Sequence, residues 1–142
     1  EERLEFNLAR CCNPIQGDKV FGFVTVDRGI KVHRLDCPNA LRLQSNFDYR
    51  IVEAKWVTKE RTYYKAILKI KGIDKLGLIN DLTQVVSDIL SINIQGINIS
   101  GEDGIFEGDL VVVVKNKTHL NTLIQKIMTI EGIKSVNRIY KT

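Results

Sequence analysis

The chain has 142 residues, of which 44% are hydrophobic and 27% charged, a balance that excludes a wholly disordered protein. The longest apolar runs, such as residues 110–114, fall far short of the roughly 20 residues that a membrane-spanning helix needs, so we expect no membrane partner. A formal charge of +4 is compatible with contact to nucleic acid but does not require it.

The start of the chain and its cysteines indicate the cellular compartment in which the protein occurs. No basic and then apolar signal peptide is present, so we expect a cytoplasmic protein with reduced thiols. The number of cysteines, 3, is odd, which argues against a closed disulfide framework. Because the chain begins at Glu1 without Met, we expect it to be a fragment of a longer protein.

Residues 1–60 predict a small, loop-rich β domain with a short helix near Pro38. A core of this size is marginal by itself, which favours a bound metal or docking onto a neighbour. We place the boundary at residues 58–61, where no Pro/Gly/Ser linker occurs, and expect a rigid connection. The predicted strands are residues 20–26, 30–33 and 50–57.

Residues 61–142 predict the order β-α-β-β-α-β, which is the ferredoxin-like pattern, and make the whole chain an α+β protein. Apolar residues recur at helical spacing over residues 78–90, and the apolar parity of the next strand changes beside Gly96, which indicates a bulge. We expect a hairpin turn at residues 101–104 and an N-cap at Thr118. In the first strand, we expect one buried face, formed by Tyr64, Ala66, Leu68 and Ile70. The opposite face is expected to stay open for self-association or docking, and its residues are Tyr63, Lys65, Ile67 and Lys69.

One group of residues has the composition of a metal site. All the cysteines and one histidine fall into the pattern C-C-x20-H-x3-C, and three thiolates with one imidazole make a closed tetrahedral zinc set. Adjacent residues bind one ion only where the backbone turns, and a proline nearby favours such a turn. The alternative is inert buried thiols beside a surface histidine. The residues of the set are Cys11, Cys12, His33 and Cys37.

Three further features suggest ligand or nucleic-acid contacts. The loop from Asp74 through Gly77 to Leu78 would let a backbone amide approach a small anion, although Gly77 also suits a plain tight turn. Residues 19–26 match part of the RNA-binding RNP1 octamer, but the elements that precede that motif in its fold are missing, so we interpret its aromatic residues as packing residues. The cations that flank the predicted metal set are Arg10, Lys19, Arg28, Lys31 and Arg34.

Taken in order along the chain, these motifs resemble the conserved-cysteine and ACT domains of the RelA/SpoT family, the bacterial (p)ppGpp synthetases and hydrolases of the stringent response. The first part of the resemblance rests on residues 9–14, 17–18, 22–23, 29, 32–34 and 36–39. The second part rests on Asp74, Gly77, Leu78, Ile79, Leu82, Asn93 and Ile94.

The resemblance implies a non-catalytic regulatory end of a longer GTP pyrophosphokinase, with hydrolase and synthetase domains upstream. It implies zinc at Cys11, Cys12, His33 and Cys37, and docking on the ribosome when an uncharged tRNA occupies the A site. It also implies autoinhibition of the catalytic domains and self-association as a homodimer. The amino-acid site of ACT domains would correspond here to Asp74, Gly77, Leu78, Asn93 and Ile94.

Two other functions compete with this one. An ACT domain that binds an amino acid would make the chain an allosteric sensor of a metabolic enzyme. A self-standing zinc or thiol enzyme would use Cys11 and His33 as a thiolate–imidazole pair. Common catalytic motifs such as G-x-S-x-G and H-E-x-x-H are absent from the sequence, so nothing in it favours the enzyme.

Overall fold

The computed structural model describes residues 6–26, 29–56, 63–73, 76–89 and 92–140. They form two four-stranded sheets with helices, which confirms the predicted α+β class. No helix in these ranges is long and apolar enough to cross a membrane. The elements are β1 (Phe6–Leu8), β2 (Val20–Val24), β3 (Ile30–Arg34), α1 (Ala40–Asn46), β4 (Ile51–Glu53), β5 (Tyr64–Ile73), α2 (Leu78–Thr83), β6 (Asn93–Glu102), β7 (Ile105–Val114), α3 (Lys117–Met128) and β8 (Ile133–Ile139).

The first sheet has the strand order β1-β3-β2-β4, with β1 parallel to β3 and the other pairs antiparallel. The short strand β1 was missed by the sequence analysis, because three residues are too few to show a period. The third predicted strand, residues 50–57, is shorter than expected: a 3₁₀ turn occupies Asp48–Arg50, and β4 ends at Glu53. A small core forms between this sheet and α1, and its buried members include Phe21, Phe23, Ala40 and Leu43.

The second sheet has the order β6-β7-β5-β8 with every pair antiparallel, which confirms the ferredoxin-like prediction. The expected irregularity beside Gly96 is confirmed by a register shift between Ile94 and Gly96. The hairpin between β6 and β7 turns at Asp103 and Gly104, with φ of 56° and 79°, the positive pair that a two-residue type I′ turn requires. A π-helical segment, Gln84–Ile89, continues α2.

Two predictions for the second half are wrong in detail. The N-cap of α3 is Asn116, whose Oδ1 accepts a hydrogen bond from the His119 N–H at 2.8 Å, and Thr118 lies inside the helix. Ile67 belongs to the predicted open face but is only 1% exposed. Its strand is central, so Val111 and Ile139 stand beside it on the two neighbouring strands and help to cover it.

The two halves of the chain are docked through residues 13–18, which we call the docking loop. Ile15 of this loop is fully buried in the core of the second sheet, among side chains from β5, β7 and the helices. Gly17 has a φ of +105°, and a Cβ built there would lie 2.9 Å from Cβ of Lys117, so the loop passes very close to the start of α3. The second core is therefore completed by a residue of the first half.

A buried ion pair ties the docking loop to β8. Arg138 donates from Nη1 to Oδ1 of Asp18 at 2.8 Å and from Nη2 to Oδ2 at 2.9 Å. Oδ2 also accepts the Ile15 N–H at 2.8 Å, and Nη2 also donates to the Asn13 carbonyl at 2.7 Å. The side chains of Asp18 and Arg138 are 5% and 11% exposed, so the charges are largely removed from water and depend on each other.

Two further hydrogen bonds cross the same junction, and a third holds the docking loop from within the first half. Asn13 donates from Nδ2 to the Tyr140 carbonyl at 2.7 Å, and the Lys117 N–H donates to the Gln16 carbonyl at 2.8 Å. Trp56 donates from Nε1 to the Asp18 carbonyl at 2.9 Å. The docking loop is thus held by Trp56, by the first residue of α3 and by the end of the second half at Tyr140.

Candidate metal centre

The adjacent cysteines lie in a single helical turn. The Asn13 N–H donates to the Ala9 carbonyl at 3.0 Å, and Asn13 leaves the turn with a φ of 49°. The Ala9 N–H donates to the Val32 carbonyl at 2.9 Å, which fixes this turn against β3. Because a helical turn brings neighbouring side chains to one side more readily than a strand does, Cys11 and Cys12 both reach the same point.

His33 and Cys37 come from β3 and the turn that follows it. The His33 ring stacks on Phe21, its partner in β2, with centroids 5.4 Å apart, and meets Phe23 edge-on at 6.4 Å. The Cys37 N–H donates to the Arg34 carbonyl at 3.0 Å in the turn that leads to α1. Both ligand side chains are thus held by packing or by backbone hydrogen bonds.

The four side chains meet in the arrangement that a tetrahedral ion needs. The ligand atoms of Cys11, Cys12, His33 and Cys37 all lie within 4.8 Å of one another. Sγ of Cys11 is 3.3 Å from Sγ of Cys37 and 3.5 Å from Nδ1 of His33, and Sγ of Cys37 is 3.7 Å from that Nδ1. Usual Zn–S and Zn–N lengths imply S···S of about 3.8 Å and S···N of about 3.6 Å around a tetrahedral ion. The cluster could therefore hold a metal ion with little movement.

Burial sets the protonation of this cluster before any metal binds. It raises the pKa of the Cys12 and Cys37 thiols, and it lowers the pKa of His33, to which the charge of Lys31 also contributes. His33 is consequently a neutral imidazole at neutral pH, the form that binds metals. The backbone N–H of Arg34 lies 3.4 Å from Sγ of Cys12. This contact favours the thiolate form of Cys12, which is the form that binds a metal ion.

The predicted nucleic-acid residues separate into two places. Arg10 and Lys31 line a groove of about 690 Å³ together with Cys11 and His33 of the cluster. Lys19 and Arg34 line a different cavity, between the two halves. Arg34 is only 7% exposed, and its guanidinium is already used by Asp36 and the Cys12 carbonyl. Arg28 lies outside the described residues.

The described residues of the predicted amino-acid site differ in exposure. Gly77 begins α2 with a φ of 84° and has open space around it, as a tight turn requires. Leu78 is buried in the core and Ile94 packs against that core, whereas Asn93 is exposed on β6 opposite Val113. Asp74 lies outside the described residues.

The residues that join the two halves were not predicted as a junction from the sequence. Asp18 and Arg138 are separated by 120 positions, and no local period or spacing connects them. Ile15 gave no signal either, because a lone apolar residue after a proline is common in loops. Their importance follows from the way the two sheets meet.

Comparisons with known proteins agree with this arrangement. Residues 1–57 match the family described as the RelA/SpoT RIS domain, and residues 60–138 match the ACT domain family. The fold and the site therefore define a regulatory region in which a Cys/His module precedes an ACT domain.

Longer relatives show which protein family contains both domains in this order. The chain is 30% identical over 138 residues to the bifunctional (p)ppGpp synthase/hydrolase RelA of Mycobacterium tuberculosis, with 93% of this chain and 18% of the relative covered. It is 29% identical over 139 residues to the GTP pyrophosphokinase of Escherichia coli, with 96% of this chain and 18% of the relative covered. The chain belongs to the RelA/SpoT family and spans about a fifth of the length of these relatives.

A solved structure supports the same family for the second half. The crystal structure of the ACT domain from the GTP pyrophosphokinase of Chlorobium tepidum is 37% identical, with a TM-score of 0.51, and covers 55% of this chain and 100% of that one. These relatives are named as a (p)ppGpp synthase/hydrolase, a GTP pyrophosphokinase and a domain of another GTP pyrophosphokinase, so the alternative of an amino-acid sensor from another metabolic enzyme is not favoured.

Proposed function

We propose that this region is the regulatory end of a longer (p)ppGpp synthetase/hydrolase, where it couples the state of the ribosome and of uncharged tRNA to upstream catalytic domains. The observation that carries the proposal is the match of both domains, in order, to a bifunctional (p)ppGpp synthase/hydrolase over 93% of this chain and to a GTP pyrophosphokinase over 96% of it. We assign no catalytic step to the region itself. It is a regulatory element of a cytoplasmic protein.

The Cys/His cluster is proposed to hold zinc as a structural ion. Three sulfurs and one imidazole nitrogen form a donor set that suits zinc and leaves no open position for a substrate. When bound, zinc would link the turn of Cys11 and Cys12 to His33 on β3 and to Cys37 before α1. The bound ion would then add to the stability of the first domain, whose own hydrophobic core is small.

Metal analysis of the purified chain tests the zinc proposal. We expect one equivalent of zinc per chain and a tetrahedral absorption spectrum after replacement by Co²⁺. Cys37→Ser should lose the metal, whereas Ser135→Ala on β8 is a control that leaves it in place. Less than a tenth of an equivalent of any metal, with the first half still folded, would favour inert buried thiols.

The groove beside the cluster is proposed as the surface that contacts ribosomal RNA or tRNA. Arg10 is exposed, Lys31 is half-buried, and no ion pair joins either side chain to a residue within the described ranges. Both lie next to ligands of the cluster, so metal binding would fix their positions. Their charges remain available for phosphates.

Co-sedimentation with ribosomes that carry deacylated A-site tRNA tests this surface. Replacing Arg10 and Lys31 by glutamate should weaken binding and reduce the slope of log K against log salt by about one for each lost cation. Replacing Lys126, an exposed residue of α3 outside the groove, by glutamate is a single-site control for charge reversal and should have little effect. Equal binding by the charge-reversed variant, with its fold intact, would refute the assigned surface.

Self-association and contact with upstream domains stay predictions. The edge strand β6 pairs only with β7 among the described strands and offers a row of free backbone groups. Analytical ultracentrifugation over a concentration series should reveal a dimer if a second copy uses this edge. A monomer at every concentration would leave the edge for another domain of the longer protein.

A further inference from the structure

A cleft of about 400 Å³ lies where the two halves of the chain meet. Its first wall contains Gly17, Lys19 and the turn from Arg34 to Asp36, and its second wall contains α3 and Arg138. The volume falls within the range of about 300–1,000 Å³ that is common for small-molecule sites. The cleft exists only because the docking loop holds the two halves together.

The charges that line this cleft do not cancel. Both oxygens of Asp18 are used by Arg138, and Asp36 accepts two hydrogen bonds from Arg34, at 2.9 and 2.8 Å. These two pairs are internally neutral. Two exposed cations of the lining, Lys19 and Lys117, form no ion pair with any residue in the described part of the chain.

Helix α3 gives the cleft a second kind of surface. Lys117, Leu120, Asn121 and Ile124 recur at a spacing that places them along one side of the helix, and all of them line the cleft. Leu35, which is 47% exposed, also lines it and comes from the first half. A cationic end next to an apolar wall suits a ligand that has an anionic group on an apolar or aromatic body.

We propose that the cleft binds a small phosphorylated molecule of about mononucleotide size. Its phosphate groups would lie against Lys19 and Lys117, and its body would lie against the exposed Leu35 and the half-buried Ile124. The concave shape and the apolar wall favour a small ligand over an extended RNA backbone. Because residues of both halves form the cleft, the ligand would stabilise the docked arrangement.

Titration of the 142-residue chain tests the proposal by calorimetry and by NMR of backbone amides, with GDP, pyrophosphate and guanosine as probes. We expect GDP to bind more tightly than pyrophosphate, since only GDP has a body to cover the apolar wall. Guanosine, which lacks phosphate, should not bind measurably. Amide shifts should concentrate around residues 17–19, 34–36 and 117–124.

Two variants separate this site from a general attraction to anions. The double variant Lys19→Gln and Lys117→Gln should weaken GDP binding at least tenfold, with an unchanged melting temperature because both side chains are exposed. Lys126→Gln removes one exposed positive charge from α3 outside the cleft, half the charge that the double variant removes, and should bind GDP as the unaltered chain does.

Three results would overturn the proposal. One is the absence of saturable binding of GDP, and another is an equal loss in the Lys126→Gln variant. The third is binding of an RNA oligonucleotide through Lys19 and Lys117 without binding of GDP, which would assign the cleft to RNA. Because Arg10 and Lys31 line a different groove, each of these results can be told apart from a failure of the ribosome proposal.

Discussion

Replacing Asp18 by asparagine should test how strongly the two halves are joined. The carboxylate accepts three hydrogen bonds, two from Arg138 and one from the Ile15 N–H. Its side chain is 5% exposed, and the variant would leave the Arg138 charge largely buried without a counterion. Breaking such a buried pair costs about 3–5 kcal/mol, a large part of the about 5–15 kcal/mol that stabilises a typical domain.

Urea unfolding followed by tryptophan fluorescence is a suitable assay. Trp56 is the single tryptophan, and it donates to the Asp18 carbonyl and contacts Tyr64 edge-on at 5.6 Å, so it reports on the junction itself. The matched control is Glu107→Gln, which weakens an exposed ion pair with Lys69 and should cost about 0–1 kcal/mol.

A double-mutant cycle that combines Asp18→Asn with Arg138→Met measures the interaction energy between these two side chains. The two single variants should together cost more than the double variant, by about 0.5–3 kcal/mol, because the double variant has no unpaired charge. If Asp18→Asn costs no more than Glu107→Gln, or if the cycle shows additive effects, the ion pair does not hold the halves together.

Three shorter predictions concern other parts of the molecule. Chelation of the bound metal should raise hydrogen exchange in residues 6–56 more than in residues 63–140, and equal changes in both would contradict a local structural metal. Asn116→Ala should cost about 0.5–2 kcal/mol in thermal unfolding, because the His119 N–H loses its partner at the start of α3; Asn121→Ala, a change inside the same helix, is the control. Gly72→Ala should destabilise the second sheet by at least about 1–3 kcal/mol, since the added Cβ would clash with the Gly132 carbonyl oxygen, and unchanged stability would refute that contact.

Features that depend on neighbouring residues were predictable from the chain. The alternation of Tyr64, Ala66, Leu68 and Ile70 marked a strand face that is buried, since side chains in a strand alternate between two sides. The ferredoxin-like order followed from a series of such local patterns, and so did the bulge beside Gly96. The residues of the metal cluster were identifiable because the chemistry of zinc needs cysteine and histidine, which are scarce here.

Features that depend on distant contacts were settled by the tertiary structure. The adjacent cysteines reach one point because the backbone makes a helical turn whose anchor is Val32 on β3. Ile15 is buried in the second core, and Asp18 pairs with Arg138, because the docking loop meets β8. Burial and pairing of this kind depend on which surfaces come together in space. The periodicity of the sequence does not show which surfaces those are. The same holds for the cleft between the halves, whose lysines are far apart in sequence and close only after docking.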